Sequence, residues 1–183
     1  SSTMQAITLS VNDITEVNPE FFDGMSALVT FDIQTNKLGK VPDFSRLPLN
    51  NSLLHLYAQN NGISNIAKTD LERLTKLQYL GLSHNQISVI PDMTHQKESL
   101  IYLYLDDNQI TGIPRNAFDG MNNLTYLYLN SNQLKDIAPV YAATSLTDLY
   151  LHENKLNNLT SDGILRLFHA MPGLSGLSLH DTG

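Results

Sequence analysis

Seven of the eight tyrosines fall where one surface could collect them: Tyr57, Tyr79, Tyr102, Tyr104, Tyr126, Tyr128 and Tyr150. Tyr79, Tyr102 and Tyr126 are 23 and 24 residues apart, and Tyr104, Tyr128 and Tyr150 are 24 and 22 apart. Phenol rings offer rigid, amphipathic contact area at little entropic loss, so the chemistry they suit is recognition. An exposed strand also favours tyrosine with no ligand at all. A contiguous aromatic patch tips the reading towards binding. Asp106, Asp107, Asp148, His152 and Glu153 accompany the later tyrosines and would select a basic partner, acting on rate and selectivity. His152-Glu153 and His180-Asp181 could in principle share a metal, but the sequence identifies nothing to orient them, so no metal site is expected. Gly-x-Ser-x-Gly, His-Glu-x-x-His and phosphate-binding glycine loops are absent. Carboxylates without a pocket to separate their environments do not make an acid–base pair. No catalytic residue and no cofactor is therefore expected.

The elements that must position these residues come from a repeated phrase, Leu-x-x-Leu-x-Leu-x-x-Asn-x-Ile/Leu. It is plainest at Leu77, Leu80, Leu82, Asn85, Ile87, at Leu100, Leu103, Leu105, Asn108, Ile110, and at Leu124, Leu127, Leu129, Asn132, Leu134. Including weaker copies, the phrase starts at 4, 28, 53, 77, 100, 124, 146 and 174. A 20–29-residue period of this kind resembles the leucine-rich repeat, which implies a right-handed α/β horseshoe with a parallel sheet on its concave face. One domain of about eight repeats is expected over 1–183, with loops, 3₁₀ turns and one short helix on the convex side. Phrase positions 1, 4, 6 and 11 should point inward and stack from rung to rung. Positions 2, 3, 5, 7 and 8 should face solvent, which puts the seven tyrosines on the concave face at positions 3 and 5. Asn12, Asn36, Asn61, Asn85, Asn108, Asn132 and Asn154 form a column whose short amides should satisfy backbone groups at the strand-to-loop corners.

The return segments differ. Those ending Phe21-Phe22-Asp23-Gly24-Met25 and Ala117-Phe118-Asp119-Gly120-Met121 should tuck Phe22 and Phe118 into the convex side of the core. Those around Pro42, Pro91 and Pro139 should be extended or 3₁₀. Residues 162–170 read as a short helix. The returns resemble extracellular "typical" leucine-rich repeats. The segments 99–110 and 145–156, with shorter repeats alternating with full ones, resemble small leucine-rich proteoglycans, without the cysteine-bearing caps of that family. The resemblance implies an extracellular or cell-surface protein. Its sequons at Asn50, Asn123 and Asn158 would carry sugar there.

Composition narrows the partners. A net charge of −7 and a pI near 5.2 argue against nucleic acid or an anionic membrane. No apolar run suits membrane insertion. The lack of cysteine excludes disulfides and thiolate sites, and leaves an intracellular or microbial origin as the alternative location. Nothing at either end resembles a cap, so a piece of a longer protein is expected, with a homodimer through the end rungs as the second reading. The combined expectation is a non-enzymatic module binding a protein ligand, one with a basic patch. A matrix or cell-surface scaffold and a receptor or adhesin ectodomain are the alternatives.

Overall fold

The computed structural model describes residues 3–157 and 159–182. Eight three-residue strands form one parallel sheet in chain order: β1 Ala6–Thr8, β2 Thr30–Asp32, β3 His55–Tyr57, β4 Tyr79–Gly81, β5 Tyr102–Tyr104, β6 Tyr126–Tyr128, β7 Asp148–Tyr150 and β8 Gly176–Ser178. Every neighbouring pair keeps equivalent phrase positions in register, for example Tyr102↔Tyr126 and Tyr104↔Tyr128. The right-handed horseshoe expected from the repeat is the fold found.

The middle residue of each strand points inward because the flanking tyrosines, threonines and acids can satisfy themselves in water and leucine cannot. Leu56, Leu80, Leu103, Leu127 and Leu149 are fully buried, as are Leu82, Leu105, Leu129 and Leu151 two residues on. Burying each such side chain stabilises the fold by about 1.5–3 kcal/mol before entropy is counted. The convex wall is completed by Phe22 and Phe118, both fully buried. Phe22 meets Phe31 at 5.3 Å and 78° and Phe44 at 4.9 Å. The outermost first rung departs from the inward pattern. Met4 is 51% exposed, and Ile7 and Leu9 are only partly buried, because this rung stacks on one neighbour instead of two.

The returns are 3₁₀ turns at Pro19–Phe22, Lys68–Asp70 and Ala138–Ala142, and one α-helix, α1 Ser161–Ala170. Thr160 caps α1, its hydroxyl oxygen accepting from the Gly163 amide at 3.2 Å. Leu167 anchors α1 in the core, whereas Leu165 and Phe168 stay about half exposed. Among the described residues, no helix is long and apolar enough to cross a membrane.

Hydrogen bonding continues past the short strands. At the corner, the amide of phrase position 8 donates to the position-7 carbonyl of the next rung, as in Thr35 to Gln59 at 2.8 Å and Ser131 to His152 at 2.9 Å. The position-8 residue has a left-handed backbone in every rung, with Val11, Thr35, Asn60, His84, Asp107, Ser131, Glu153 and Asp181 at φ between 52° and 58°, and in the first seven it makes this bond to the next rung. None is glycine. A side chain at such a φ costs about 1–2 kcal/mol, most for a β-branched one. Replacing Thr35 with Gly should therefore raise the unfolding free energy by about 0.5–1 kcal/mol, the relief being partly offset by the freer unfolded chain. Thr35→Ala keeps the Cβ and should give no such gain. Urea denaturation of the two variants decides the matter.

Candidate protein-binding face

Strand alternation brings the side chains of positions 3 and 5 to the concave face in two parallel columns. The position-5 column holds Tyr57, Gly81, Tyr104, Tyr128 and Tyr150, and the position-3 column holds His55, Tyr79, Tyr102, Tyr126 and Asp148. All seven tyrosines are on this face and each is half-buried. They cover one another. Tyr104 and Tyr128 stack at 4.3 Å and 14°, Tyr128 and Tyr150 at 4.3 Å and 9°, and Tyr102 and Tyr126 at 4.6 Å and 10°. Tyr141 alone is elsewhere, its hydroxyl donating to the Gly163 carbonyl of α1 at 3.3 Å.

At β4 the ladder changes column. Gly81 has no side chain to stack between Tyr57 and Tyr104, and Tyr79 fills the gap from the neighbouring column. Its ring lies 4.5 Å from Tyr57 and 5.0 Å from Tyr104, but 5.9 Å from its register partner Tyr102. Tyr57, Tyr79, Tyr104, Tyr128 and Tyr150 thus form one unbroken run of ring contacts across five rungs, tilted by 38° and 31° at Tyr79 and stacked from Tyr104 to Tyr150. The Gln59 carboxamide lies over Gly81, in space that any Cβ there would claim. Gly176 likewise leaves room for the Asp148 carboxylate. Gln59 and the two glycines escaped the sequence reading as site residues. The signal that finds them is a missing side chain in an otherwise filled column.

Burial of the phenols, with Tyr104, Tyr57 and Asp106 nearby, pushes the Tyr79 hydroxyl up from the ordinary 10.0. Burial also raises Tyr104, against a hydrogen bond with Tyr128 that lowers it, and Tyr128, where Tyr104 and Tyr150 add to the effect. An ionising group whose folded pKa is raised leaves stability intact below its unfolded pKa and loses it as pH climbs towards the folded value. Stability should therefore be flat up to about pH 10 and fall above it. Phenolate absorbance should show Tyr79, Tyr104 and Tyr128 ionising later than free tyrosine, and a Tyr104→Phe/Tyr128→Phe variant should lose stability less steeply.

The acidic rim is tied to hydroxyls. Ser83, itself buried, donates to Asp106 at 2.6 Å, Thr147 to Asp148 at 2.6 Å, and Ser131 to Glu153 at 2.8 Å. Asp107 faces His84 at 3.7 Å. A hydroxyl occupies part of each carboxylate's accepting capacity and leaves its charge in place. Lys and Arg ion pairs lie away from these positions, at Lys37–Asp13, Lys40–Glu16, Arg46–Asp23 and Lys68–Asp92. His152 continues the ring series at 6.4 Å from Tyr150.

The asparagine column lies at the corner beside this face. Asn36, Asn61, Asn85, Asn108, Asn132 and Asn154 are buried and bond backbone groups of adjacent rungs. Asn12, on the first rung, is exposed and bonds only its own corner, at Leu9 and Ser10. Of the sequons, Asn50 and Asn123 are exposed, and the Asn123 amide donates to the Glu98 carbonyl at 2.8 Å. Asn158 lies outside the described residues.

A leucine rich repeat family model matches residues 87–134 and 98–156, and a second such model matches 76–96. Human lumican is 43% identical over 67 residues, covering 37% of this chain and 19% of lumican. Mouse podocan-like protein 1 is 34% identical over 94 residues, covering 50% of this chain and 16% of that protein. The chain therefore matches about a fifth or less of the length of these relatives. Two solved structures share the fold. An internalin of Listeria monocytogenes gives a TM-score of 0.74 at 23% identity over 97% of this chain and 48% of that one. A leucine-rich repeat protein of Leptospira interrogans gives 0.70 at 22% identity over 95% and 48%. The chain is a leucine-rich repeat protein. Its central repeats resemble those of the small leucine-rich proteoglycans.

Proposed function

We propose that this chain is a non-enzymatic recognition module that binds a protein ligand along its tyrosine-rich concave face. The observation that carries the reading is the unbroken run of five contacting phenol rings from Tyr57 to Tyr150, with the stacked Tyr102 and Tyr126 beside it. The stack holds its rings in place before a partner arrives, so a partner meets contact area that has already lost its rotamer freedom. Asp106, Asp107, Asp148, His152 and Glu153 border the rings with no Lys or Arg among them. A basic patch on the partner suits that border, each of its cations gaining from a carboxylate and from an electron-rich ring face. Likeness to lumican supports an extracellular setting, where the exposed Asn50 and Asn123 would carry sugar. Binding is also what an open sheet can do chemically, since it encloses no reacting group.

The test is a pull-down from the native source, comparing the wild-type chain with a variant carrying Ala at Tyr102, Tyr104, Tyr126 and Tyr128. Proteins captured by the wild type and lost by the folded variant are the expected partners, and raised salt should weaken their capture. A folded variant that retains the whole captured set removes this reading.

A further inference from the structure

The concave face ends, beyond Tyr150, in a cluster of His152 and Glu153 of the corner after β7 and His180 of the corner after β8. The two imidazoles stack at 4.4 Å and 12°, although they are 28 residues apart in sequence. One ligand atom from each of His152, Glu153 and His180 lies within 4.8 Å of the others. From these residues we infer a binding site for a divalent transition-metal ion, with Zn²⁺ as the ion that fits its two nitrogens and one oxygen.

The supports for such a site, which the sequence could not reveal, are present. Ser178 Oγ lies 3.0 Å from Nδ1 of His152 and 3.1 Å from Nδ1 of His180, so one hydroxyl orients both rings from the same side. The site requires the tautomer in which Ser178 Oγ accepts from both Nδ1–H groups, which leaves the lone pair of each Nε2 for the ion. Glu153 is held in turn by the Ser131 hydroxyl, which donates to Oε2 at 2.8 Å and leaves Oε1 for a ligand. Hydrogen-bonded partners of this kind fix ring orientation and raise affinity at metal centres. The left-handed backbone at Glu153, φ 55°, turns its side chain onto the same corner as the two histidines. Two imidazoles and a carboxylate supply three of the four positions of a tetrahedral zinc ion and leave one open. They suit zinc, copper or nickel, whereas calcium and magnesium prefer all-oxygen shells. To form zinc–nitrogen bonds of about 2.0–2.1 Å the two rings must turn out of their parallel stack so that their in-plane lone pairs converge on the ion. Among the described residues, His84, Asp106 and Asp107 form the other His–carboxylate group. It has a single imidazole and makes a natural comparison.

Titration calorimetry with ZnCl₂ on the full chain tests the site, with imidazole ¹H–¹⁵N spectra to locate the ion. One zinc should bind per chain, shifting the nitrogens of His152 and His180, and a chelator should reverse the change. His180→Ala, at an exposed position, should abolish this event with the thermal melt unchanged. His84→Ala should leave it intact. Ser178→Ala, which removes only the orienting hydroxyl, should weaken affinity by about 10- to 100-fold. Calcium and magnesium should give no heat. Absence of zinc binding overturns the site, and so does zinc binding that survives His180→Ala or shifts only His84.

Discussion

Asn108→Ala is expected to lower the unfolding free energy by about 2–3 kcal/mol, whereas Asn12→Ala should cost under about 1 kcal/mol. The same substitution at the same phrase position gives different results because the two amides do different work. Asn108 Nδ2 donates to the carbonyls of Leu82, Leu105 and Asp106 at 3.0–3.1 Å, and its Oδ1 accepts from the Ile87 amide at 2.9 Å. Leu82 and Ile87 belong to the preceding rung, so one buried side chain joins two turns of the solenoid. Alanine leaves the buried Ile87 amide unpaired, and the three carbonyls fall back on one donor each: Asn85 for Leu82, Asn132 for Leu105 and the His84 amide for Asp106. Each buried group left unpaired costs about 1–3 kcal/mol. Asn12 satisfies two carbonyls of its own exposed corner, and water can take over there. Paired urea titrations measure both values. Equal losses would show that the column acts through corner shape and not through bonds between rungs.

The second large effect is on binding. Alanine at Tyr102, Tyr104, Tyr126 and Tyr128 should reduce affinity for a captured partner by at least about 100-fold, since single hot-spot truncations cost about 2 kcal/mol and every 1.4 kcal/mol is tenfold. The four rings form the centre of the face, two stacked pairs on adjacent strands. Removing them also forfeits about 0.5–1.5 kcal/mol for each aromatic pair, so the variant will melt earlier. It should still fold, because Leu103 and Leu127 beneath the rings are untouched and fully buried. A second variant with Phe at the same positions keeps the stacks and loses only the hydroxyls. Surface plasmon resonance should place it near the wild type if ring area dominates. If Phe abolishes binding as fully as Ala, hydroxyl hydrogen bonds are the main term.

The two results probe separate layers of the same rung. The asparagine holds one turn to the next, which sets strand spacing and therefore the distance between rings. The rings stack at 4.3–4.6 Å over β5, β6 and β7, close to the strand spacing of about 4.8 Å. A concave face that depends on rung spacing is only as ordered as the column behind it.

Much of this protein was legible without coordinates. The 22- to 28-residue period fixes which residues become neighbours, because a solenoid stacks equivalent positions. Strand alternation then fixes which of them face out. Leu103 inside with Tyr102 and Tyr104 outside follows from those two facts alone. Other features were decided only in three dimensions. Tyr79 could have stacked on Tyr102, and it turned instead to fill the place that Gly81 leaves empty. Seven non-glycine residues from Val11 to Glu153 took a left-handed backbone because the interstrand amide ladder outweighed local preference. The period puts His152 and His180 at the same phrase position of adjacent rungs, but only the coordinates put the Ser178 hydroxyl within reach of both rings. A repeat specifies which residues share a column. Rotamers and hydrogen bonds between columns depend on the space that neighbours leave, and that space exists only once the rungs have stacked.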